Sequence, residues 1–441
     1  MKLLLLDNDG EGMGVDLALR ALEHDNEVRY WLPTEQSGER PQFGEGMFER
    51  PVDWKPSMDW ADLIVLTGNS AYATPLTEYF GKGYPIFGAN AKAAELELDR
   101  GIGQEVLKRY GVNTLPYEVV KTVDEAVDHI IDARKPFVMK PWGGDGDKSM
   151  TCVPHDVDEA VFTLRKWQKE KKFKGQLMLQ EKVDGIEMGV AGWFGPGGWS
   201  AAIEESFEHK KFLNDDLGEN TGEMGTVIRH VSESKLFNKV LEPLTDYLHL
   251  CKYTGDCSVN CIIDDRGRPW PLEFTMRLGW PDFCIRQEVT KGCPVEWMLD
   301  LLSGRDTLEI STAVAAGVLM AHGDFPKCKD PNPLWTGMPI NGITTENYEH
   351  LHFQQVMSGE APKVVGGKEK NLRMSLTAGT YVLIAGGSGK TVSQAMEKVY
   401  GVANEIRWPG NVMYRTDIGR RLEKELPILQ KHGYAEGMRY G

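Results

Sequence analysis

Short apolar runs at the start of the chain predict four buried strands. They lie at residues 3–6, 27–32, 62–66 and 84–87. Between the first two, a glycine turn over 9–14 leads into a segment with helical periodicity at 15–22. A strand, a glycine turn, a helix and a second strand are the opening of a doubly wound layer. We therefore predict an N-terminal Rossmann-like domain over residues 1–90.

Residues 91–310 mix helical and strand patterns. The pattern predicts helices over 91–110, 122–133, 158–169 and 234–251. It predicts strands over 137–140 and 176–181, and mostly strands over 187–275 apart from the helix at 234–251. The helix at 122 begins with an N-cap residue, Thr122, and an acid follows three residues later at Glu125. This stretch predicts an α+β domain over 91–310, with a small lid subdomain over residues 115–181.

The last part of the chain, residues 311–441, alternates strands with Gly-Gly turns and then shows helical periodicity at 392–406. It predicts a C-terminal mixed α/β domain. The whole chain is therefore expected to be a multidomain protein of α/β and α+β class.

Composition and charge narrow the possible partners. The 441 residues are 41% hydrophobic and 26% charged, as in soluble enzymes. The first apolar run is too short for a signal peptide, and no later run is long enough for a membrane span. Seven irregularly spaced cysteines favour reduced thiols. The formal charge of −15 disfavours duplex nucleic acid. We expect a cytoplasmic monomer that acts on small molecules.

A lysine and glycine segment around residue 140 suits a triphosphate. Lys140 ends a predicted strand, a glycine-rich loop covers 143–147, and Lys148 follows. Lysines neutralise phosphate charge, and glycine amides can approach a ligand closely because no Cβ blocks them. The alternative is a surface hairpin with solvated lysines, and this segment alone does not separate the two.

The segment 179–187 could bind the nucleoside. A strand runs into a short linker at Glu181, where backbone groups could meet an adenine edge, and Glu187 six residues later could hold ribose hydroxyls. Taken alone, an exposed turn with acidic residues explains this segment better, because such turns are common.

A third set of polar residues lies in the second half of the central region. It begins with the segment 209–211 and the loop 220–225. Strand alternation then puts Glu273, Thr275 and Arg277 on one face. Buried polar side chains need partners, and Mg²⁺ with phosphates would supply them. A buried ion pair is the alternative.

Two nucleotide-binding motifs are excluded. The segment 384–391 has Ile384 where the P-loop pattern requires its first glycine. The spacing of Gly10, Gly12 and Gly14 is not that of the dinucleotide fingerprint. A nicotinamide site is therefore disfavoured, while a phosphate-binding turn at 10–14 remains open.

Taken in order, these segments resemble the phosphoribosylamine–glycine ligases (glycinamide ribonucleotide synthetases), which are ATP-grasp enzymes of purine biosynthesis. The similarity extends over nearly the whole chain, and its most specific tail match is 414–420. The other matching segments are 62–65 with 75–76, 87–97, 140–148, Glu181 with Gly185 and Glu187, 209–211, 220–222, 273–274, and Arg277 with Gly279 and Pro281. The resemblance implies an ATP-grasp fold in a divergent member of the family.

The resemblance also implies roles for single residues, with ATP and Mg²⁺, or Mn²⁺ in its place, as cofactors. The implied nucleotide-binding residues are Lys140, Lys148, Glu181, Lys182, Val183, Glu187 and Asn220. The implied metal ligands are Glu273 and Thr275. The implied catalytic residues are Arg277, Lys210 and Lys148, and Arg277 would face the acyl phosphate or the substrate.

Departures from the family cluster where the amine should bind. The family's Arg and His after the first glycines are missing, and Glu11 and Asp16 stand nearby. We expect these acids to repel a substrate phosphate. Further departures are the segment 67–69, Glu223 in place of a glycine, Thr275 in place of an asparagine, and Trp280 and Asp282 in place of an acid pair.

The predicted function is ATP-dependent joining of a small carboxylic acid, such as glycine, to a ribosyl or nucleotide amine through an acyl phosphate. One alternative keeps this chemistry with another amine, for example on a modified nucleotide or base. A second alternative is a nucleotide-binding protein without catalysis.

Overall fold

The computed structural model describes residues 1–7, 12–34, 40–142, 151–172, 175–323, 325–327 and 333–441. Its first part is a parallel sheet in the strand order β2-β1-β3-β4. The elements are β1 (Lys2–Leu6), α1 (Gly14–Glu23), β2 (Glu27–Trp31), α2 (Lys55–Met58), β3 (Leu63–Leu66), α3 (Thr77–Gly81) and β4 (Ile86–Phe87). The predicted doubly wound layer is confirmed.

Two helices replace the single helix predicted over 91–110. They are α4 (Ala91–Leu98) and α5 (Arg100–Arg109). Asp99 between them is extended, with φ −115° and ψ 103°, and its carboxylate accepts the N–H groups of Gly101 at 2.8 Å and Ile102 at 3.1 Å. An acid that caps the second helix therefore also interrupts the first. The helical periodicity of the sequence continues across Asp99, so the pattern did not reveal the break between the two helices.

In its described residues, the lid subdomain is a three-stranded antiparallel sheet with two helices. Its elements are β5 (Tyr117–Val120), α6 (Val123–Ala133), β6 (Phe137–Trp142), α7 (Val157–Lys169) and β7 (Gln176–Glu181). Thr122 caps α6 as predicted, accepting the N–H of Glu125 at 3.1 Å. The lid has a hydrophobic core of its own, which includes Ile130, Met139 and Leu164.

A large antiparallel sheet carries the remainder of the central region. The elements of this region up to residue 310 are β8 (Ile186–Gly195), β9 (Gly198–Trp199), β10 (Ile203–Glu208), β11 (Lys211–Leu213), β12 (Leu217–Asn220), β13 (Gly225–Val231), α8 (Lys235–Val240), α9 (Thr245–Cys251), β14 (Gly255–Ile263), β15 (Pro269–Thr275), α10 (Asp282–Arg286), β16 (Thr290–Lys291), α11 (Pro294–Leu302) and β17 (Glu309–Ile310). Of these strands, β11 with β12 and β16 with β17 form separate two-stranded sheets. The helix predicted over 234–251 is broken at Glu242–Leu244, a short 3₁₀ turn that contains Pro243.

The C-terminal part extends the same sheet. Its elements are β18 (Val314–His322), β19 (Leu351–Phe353), β20 (Val356–Val365), β21 (Lys368–Thr377), β22 (Tyr381–Gly389), α12 (Val392–Glu405), β23 (Val412–Met413) and α13 (Leu422–Lys431). The sheet order is β15-β14-β8-β10-β13-β18-β22-β19. The domain boundary predicted near residue 310 thus falls between strands of one hydrogen-bonded sheet. Among the described residues, none of the helices is both long and apolar enough to cross a membrane.

Candidate nucleotide and ligase site

Four polar residues share one face of the large sheet. Pairing puts Asn260 of β14 opposite Gly189 of β8 on one side and opposite Glu273 of β15 on the other. The amide of Asn260 donates to both carboxylate oxygens of Glu208, each at 2.9 Å. Glu187, two residues before Gly189, belongs to the same face because side chains alternate along a strand. The sheet therefore presents Glu187, Glu208, Asn260 and Glu273 together.

Lys210 lies among these carboxylates. Its Nζ is 2.8 Å from Glu187 Oε1, 3.2 Å from Glu208 Oε2 and 3.9 Å from Glu273 Oε1. Burial acts to lower the pKa of Lys210, but Glu208, Glu187 and Glu273 together raise the pKa well above its usual value. Lys210 therefore stays protonated and neutralises part of the negative charge of this face.

Lys140 is a buried cation in strand β6 of the lid. Its Nζ donates to Oε1 of Gln180, on the neighbouring strand β7, at 2.9 Å, and the residue is only 8% exposed. Burial lowers the pKa of Lys140 to about 8, Glu273 acts in the opposite direction, and Arg100 and Lys210 lower it further. An anionic ligand beside Lys140 would restore its charge.

Arg100 is a site residue that the sequence did not single out. It is the first residue of α5, and its Nη2 lies 3.6 Å from Glu273 Oε2. Its Nε and Nη1 are buried and have no hydrogen-bond partner among the described residues. Buried guanidinium donors without acceptors are costly, and a phosphate would satisfy them.

Glu208 and Asn260 were also missed by the sequence reasoning. The alternation of Glu204, Ser206 and Glu208 along β10 was the available signal for the first of these. The predicted pair Glu273 and Thr275 does share strand β15.

Arg277 does not lie on the same strand as Glu273 and Thr275, although the sequence pattern put the three on one strand face. Strand β15 ends at Thr275, so strand alternation does not reach Arg277. Its Nε donates to Glu97 Oε1 at 3.1 Å, and Glu97 Oε2 accepts from Asn69 at 2.7 Å and from the backbone of Met276 at 2.7 Å. Arg277 therefore lies at the junction between the large sheet and the N-terminal domain.

The remaining predicted nucleotide residues lie at the edges of this arrangement. Glu181 ends β7 and accepts from Lys135 at 2.6 Å. Lys182 is exposed and Val183 half-buried in the linker that leads to Glu187. Asn220 is exposed on β12, where it pairs with Lys211. Lys148 and the glycine loop 143–147 lie outside the described residues.

A C-terminal segment holds the hairpin that follows Lys210. Arg415 donates to the carbonyl oxygen of Lys211 at 2.8 Å and to Asp216 at 2.9 Å, and it pairs with Asp417 at 2.8 Å. The N–H of Asp215 donates to Asp417 at 2.8 Å. The tail motif recognised in the sequence therefore fixes the hairpin β11–β12.

The same segment also contacts the chain just before Lys210. The Gly419 N–H donates to Nε2 of His209 at 3.1 Å, and Arg421 donates to the carbonyl oxygen of Glu208 at 2.7 Å. Burial, with Arg421 and Arg415 nearby, lowers the pKa of His209 to about 3, so this ring is neutral.

Glu223 is a buried acid beside these residues. It is 3% exposed, and its Oε1 has no hydrogen-bond partner within the described ranges. Burial and the nearby Glu208 and Asp282 raise the pKa of Glu223 well above its usual value. A buried carboxyl of this kind is neutral unless a cation reaches it.

Two departures from the family pattern have structural partners. Asp282 pairs with Arg286 at 2.9 Å, and Arg286 also binds Glu204 at 2.6 Å and Asp256 at 2.7 Å. Trp280 donates to Gln354 at 2.7 Å, and its ring lies 3.6 Å from that of Tyr381.

Asp16 was expected to repel a substrate phosphate, but the structure pairs it with cationic side chains. Its carboxylate is buried and pairs with His352 at 3.3 Å and with Arg20 at 3.6 Å. Because these cations already neutralise it, the expected repulsion of a phosphate by Asp16 is not supported. Glu11 lies outside the described residues.

The oxygen donors of the face fit Mg²⁺ bound together with a nucleotide. Within the described ranges, no group of three or more His, Cys, Asp or Glu side chains is arranged to hold a metal alone. Mg²⁺ in nucleotide sites usually takes one or two carboxylates and completes its shell with phosphate oxygens and water. Glu273 and Glu208, with the amide of Asn260, provide ligands of this type.

Comparisons with known proteins agree with this architecture. The family model "Phosphoribosylglycinamide synthetase, ATP-grasp (A) domain" matches residues 100–283. The phosphoribosylamine–glycine ligase of Salmonella typhimurium is 25% identical over 379 residues, which cover 82% of this chain and 84% of that protein.

Two solved structures from Thermotoga maritima share the fold. Its phosphoribosylamine–glycine ligase matches with a TM-score of 0.70 at 21% identity, covering 95% of this chain and 100% of that one. Its N5-carboxyaminoimidazole ribonucleotide synthetase matches with a TM-score of 0.57 at 16% identity, covering 93% and 100%. The ATP-grasp fold expected from the sequence is confirmed.

Proposed function

The chain is an ATP-dependent ATP-grasp ligase, a divergent relative of the phosphoribosylamine–glycine ligases, and from this premise we propose that it joins a small carboxylic acid, such as glycine, to an amine through an acyl phosphate. One observation carries the proposal. The cations Lys140, Arg100 and Lys210 lie around Glu273, at the place where the lid faces the large sheet.

The first step transfers a phosphoryl group. A carboxylate oxygen of the acid attacks the γ-phosphorus of ATP, the bond to the bridging oxygen breaks, and ADP leaves. Lys140 and the Nε and Nη1 groups of Arg100, which have no partner within the described ranges, supply positive charge for the phosphate oxygens. Lys148 is proposed as a further phosphate contact from the family resemblance. Bound Mg²⁺, or Mn²⁺ in its place, would be held by Glu273, Glu208 and Asn260 and would neutralise charge on the phosphates.

The nucleoside is proposed to lie along the linker between β7 and β8. Backbone groups at 181–183 would meet the adenine edge, and Glu187 would accept from the ribose hydroxyls. Glu187 already accepts from Lys210 at 2.8 Å, so its carboxylate is oriented before the nucleotide binds.

The second step forms the amide. The amine nitrogen attacks the acyl carbon, inorganic phosphate leaves, and the nitrogen loses a proton. Arg277 is proposed to act on the side of the acid or the acyl phosphate, because its contact with Glu97 brings it to the junction with the N-terminal domain. The lid would exclude water, which would otherwise hydrolyse the acyl phosphate.

A second acceptor class, an amine on a modified nucleotide or base, keeps the same chemistry. It is favoured by Trp280, a half-buried aromatic residue three positions after Arg277, whose ring lies 3.6 Å from that of Tyr381 in a tilted arrangement. Both classes share the first step, so the first step is the one to test.

Hydroxylamine provides the test because it attacks acyl phosphates without the natural amine. The full chain is incubated with Mg²⁺, ATP, hydroxylamine and single carboxylic acids, beginning with glycine. We expect ADP and a hydroxamate in equal amounts, dependent on the acid. ADP release without hydroxamate contradicts the acyl phosphate, and the absence of both with every acid tested indicates a nucleotide-binding protein without catalysis.

A further inference from the structure

A buried carboxylate occupies the junction between β1 and α1. Asp7 follows β1 and is fully buried. The backbone N–H of Gly14, the first residue of α1, donates to Asp7 Oδ2 at 2.9 Å. The hydroxyl of Thr67 donates to Oδ1 at 2.6 Å, and the hydroxyl of Tyr30 donates to Oδ2. Both oxygens of Asp7 are therefore bound, by donors from α1, from β2 and from the residue that follows β3.

This junction is where a doubly wound domain ordinarily receives the phosphate of a ligand. The first amides of the helix point outwards from the carboxyl edge of the sheet, and the helix dipole favours an anion. Here the Gly14 N–H is used by Asp7, and the Val15 N–H donates to the carbonyl oxygen of Gly12 at 3.2 Å. The protein's own carboxylate thus stands in the position of a ligand anion.

The packing around the junction favours Asp7 over a larger group. A Cβ on Gly14 would lie 2.7 Å from Tyr30 and 3.3 Å from Asp7 Oδ2, so only glycine lets the carboxylate approach. Gly12 has a φ of +72°, and a Cβ there would lie 2.8 Å from the carbonyl oxygen of Gln354. Burial and the adjacent Asp7 raise the pKa of Tyr30 well above its usual value, so its hydroxyl remains a donor.

We propose that Asp7 makes this ligase select an acceptor amine that places no phosphate group at this junction, and that it thereby excludes phosphoribosylamine. The inference rests on the proposed ligase function and narrows its acceptor class. A phosphate at the start of α1 would compete with Asp7 for the Gly14 N–H and would lie close to this buried carboxylate.

The wild-type test separates this inference from the ligase function itself. Hydroxamate formation from the acid and ATP is measured first. Phosphoribosylamine, generated from ribose 5-phosphate and ammonia, then replaces hydroxylamine. We expect its kcat/KM to be at least about 100-fold below that of hydroxylamine, the scale on which a mismatched polar group is rejected. We also expect millimolar ribose 5-phosphate to leave hydroxamate formation unaffected.

The outcomes point to different conclusions. Hydroxamate formation together with efficient use of phosphoribosylamine, or inhibition by ribose 5-phosphate, would overturn the selection by Asp7 and leave the ligase function standing. The absence of hydroxamate would remove the ligase function instead.

Two variants then test Asp7 itself. Asp7→Asn keeps the shape and removes the charge, while Asp7→Gly opens the junction. In whichever of them retains the wild-type circular dichroism spectrum, ribose 5-phosphate should bind at least about tenfold more tightly than to wild type by calorimetry, because a repelling charge is gone. Asp62→Asn, which alters a carboxylate elsewhere in the same domain that accepts the Lys2 N–H, is the matched control. Equal affinities in Asp7 variants and control would overturn the proposal, and if neither variant folds, the wild-type comparison decides it.

Discussion

At the scale of single residues, Lys140 combines burial with a position beside acids and cations. The Lys140→Ala variant should bind ATP more weakly by about 1.5–3 kcal/mol, the usual contribution of a hydrogen bond to a charged group. Calorimetric titration with a non-hydrolysable ATP analogue measures this. Lys166→Ala, which alters an exposed lysine of the lid, is the control. Equal affinity in wild type and Lys140→Ala would remove this lysine from the site.

The pKa of Lys140 gives a second expectation. Because burial lowers that pKa to about 8, the lysine loses its charge as the pH rises through 8 in the free protein. A bound phosphate favours the charged form, so ATP affinity should fall above pH 8, by up to about tenfold per pH unit. Lys140→Arg should remove this fall, because arginine stays charged. A pH profile that is the same in wild type and Lys140→Arg would contradict the assignment.

Glu273 is expected to be essential for chemistry and dispensable for folding. Glu273→Gln keeps the side-chain shape and removes the charge, so acid-dependent ADP formation with Mg²⁺ should be abolished while the melting temperature is maintained. Glu369→Gln, on the distant strand β21, should be neutral. Near-normal turnover by Glu273→Gln would show that this carboxylate does not serve the metal.

The sequence identified those site residues whose chemistry is visible in a short segment. Lys140, Lys210 and Glu273 stand in or beside predicted strands, and the structure brings them together. Arg100 and Glu208 were missed because their significance comes from long-range contacts: Arg100 meets Glu273 across 173 positions, and Asn260 meets Glu208 across 52. Periodicity contains no information on such contacts.

At the scale of elements, the hairpin β11–β12 depends on the C-terminal segment. Arg415→Lys keeps the charge but loses the planar fork that reaches Lys211, Asp216 and Asp417 together. We expect faster hydrogen exchange over 211–220 and lower hydroxamate formation, with exchange in β14 unchanged. Arg407→Lys, at an exposed position, is the control. Unaltered exchange in the hairpin would contradict the anchoring role.

Helix boundaries were hard to predict from the sequence. The breaks at Asp99 and Pro243 follow from a cap and from a missing backbone donor, both local effects inside segments with continuous helical periodicity. Sheet membership was harder still, because the pairing of β13 with β18 joins residues that lie almost ninety positions apart.

At the scale of the whole molecule, a histidine joins the three parts of the chain. His352 of β19 lies 3.3 Å from Asp16 of α1 and 3.0 Å from Glu288 of the central region, with Arg20 at 3.5 Å. Burial acts to lower the pKa of His352, but Asp16 and Glu288 outweigh it and raise the pKa. The hydrogen bond to Glu288 likewise raises the pKa of His350.

A histidine whose pKa is higher in the folded protein than in the unfolded chain stabilises the folded protein. This stabilisation is complete below the pKa of histidine in the unfolded chain, about 6.5, and it is lost as the pH rises through the pKa in the folded protein. The contribution of His350 and His352 to the free energy of unfolding in urea should therefore fall from pH 6 to pH 8.5, whereas the buried neutral His209 contributes with the opposite sign. His352→Gln should flatten that fall, while His155→Gln, on the exposed surface of the lid, should not. Identical slopes in wild type and His352→Gln would show that the junction does not titrate.

The acyl phosphate is the central claim, and oxygen transfer tests it most directly. The acid is supplied with ¹⁸O in its carboxylate, together with ATP, Mg²⁺ and hydroxylamine, and the released phosphate is examined by mass spectrometry. The carboxylate oxygen that attacks the γ-phosphorus stays bonded to that phosphorus when hydroxylamine displaces the phosphate from the acyl carbon. Each released phosphate should therefore carry one ¹⁸O. Phosphate without ¹⁸O, formed while hydroxamate accumulates, would contradict the account.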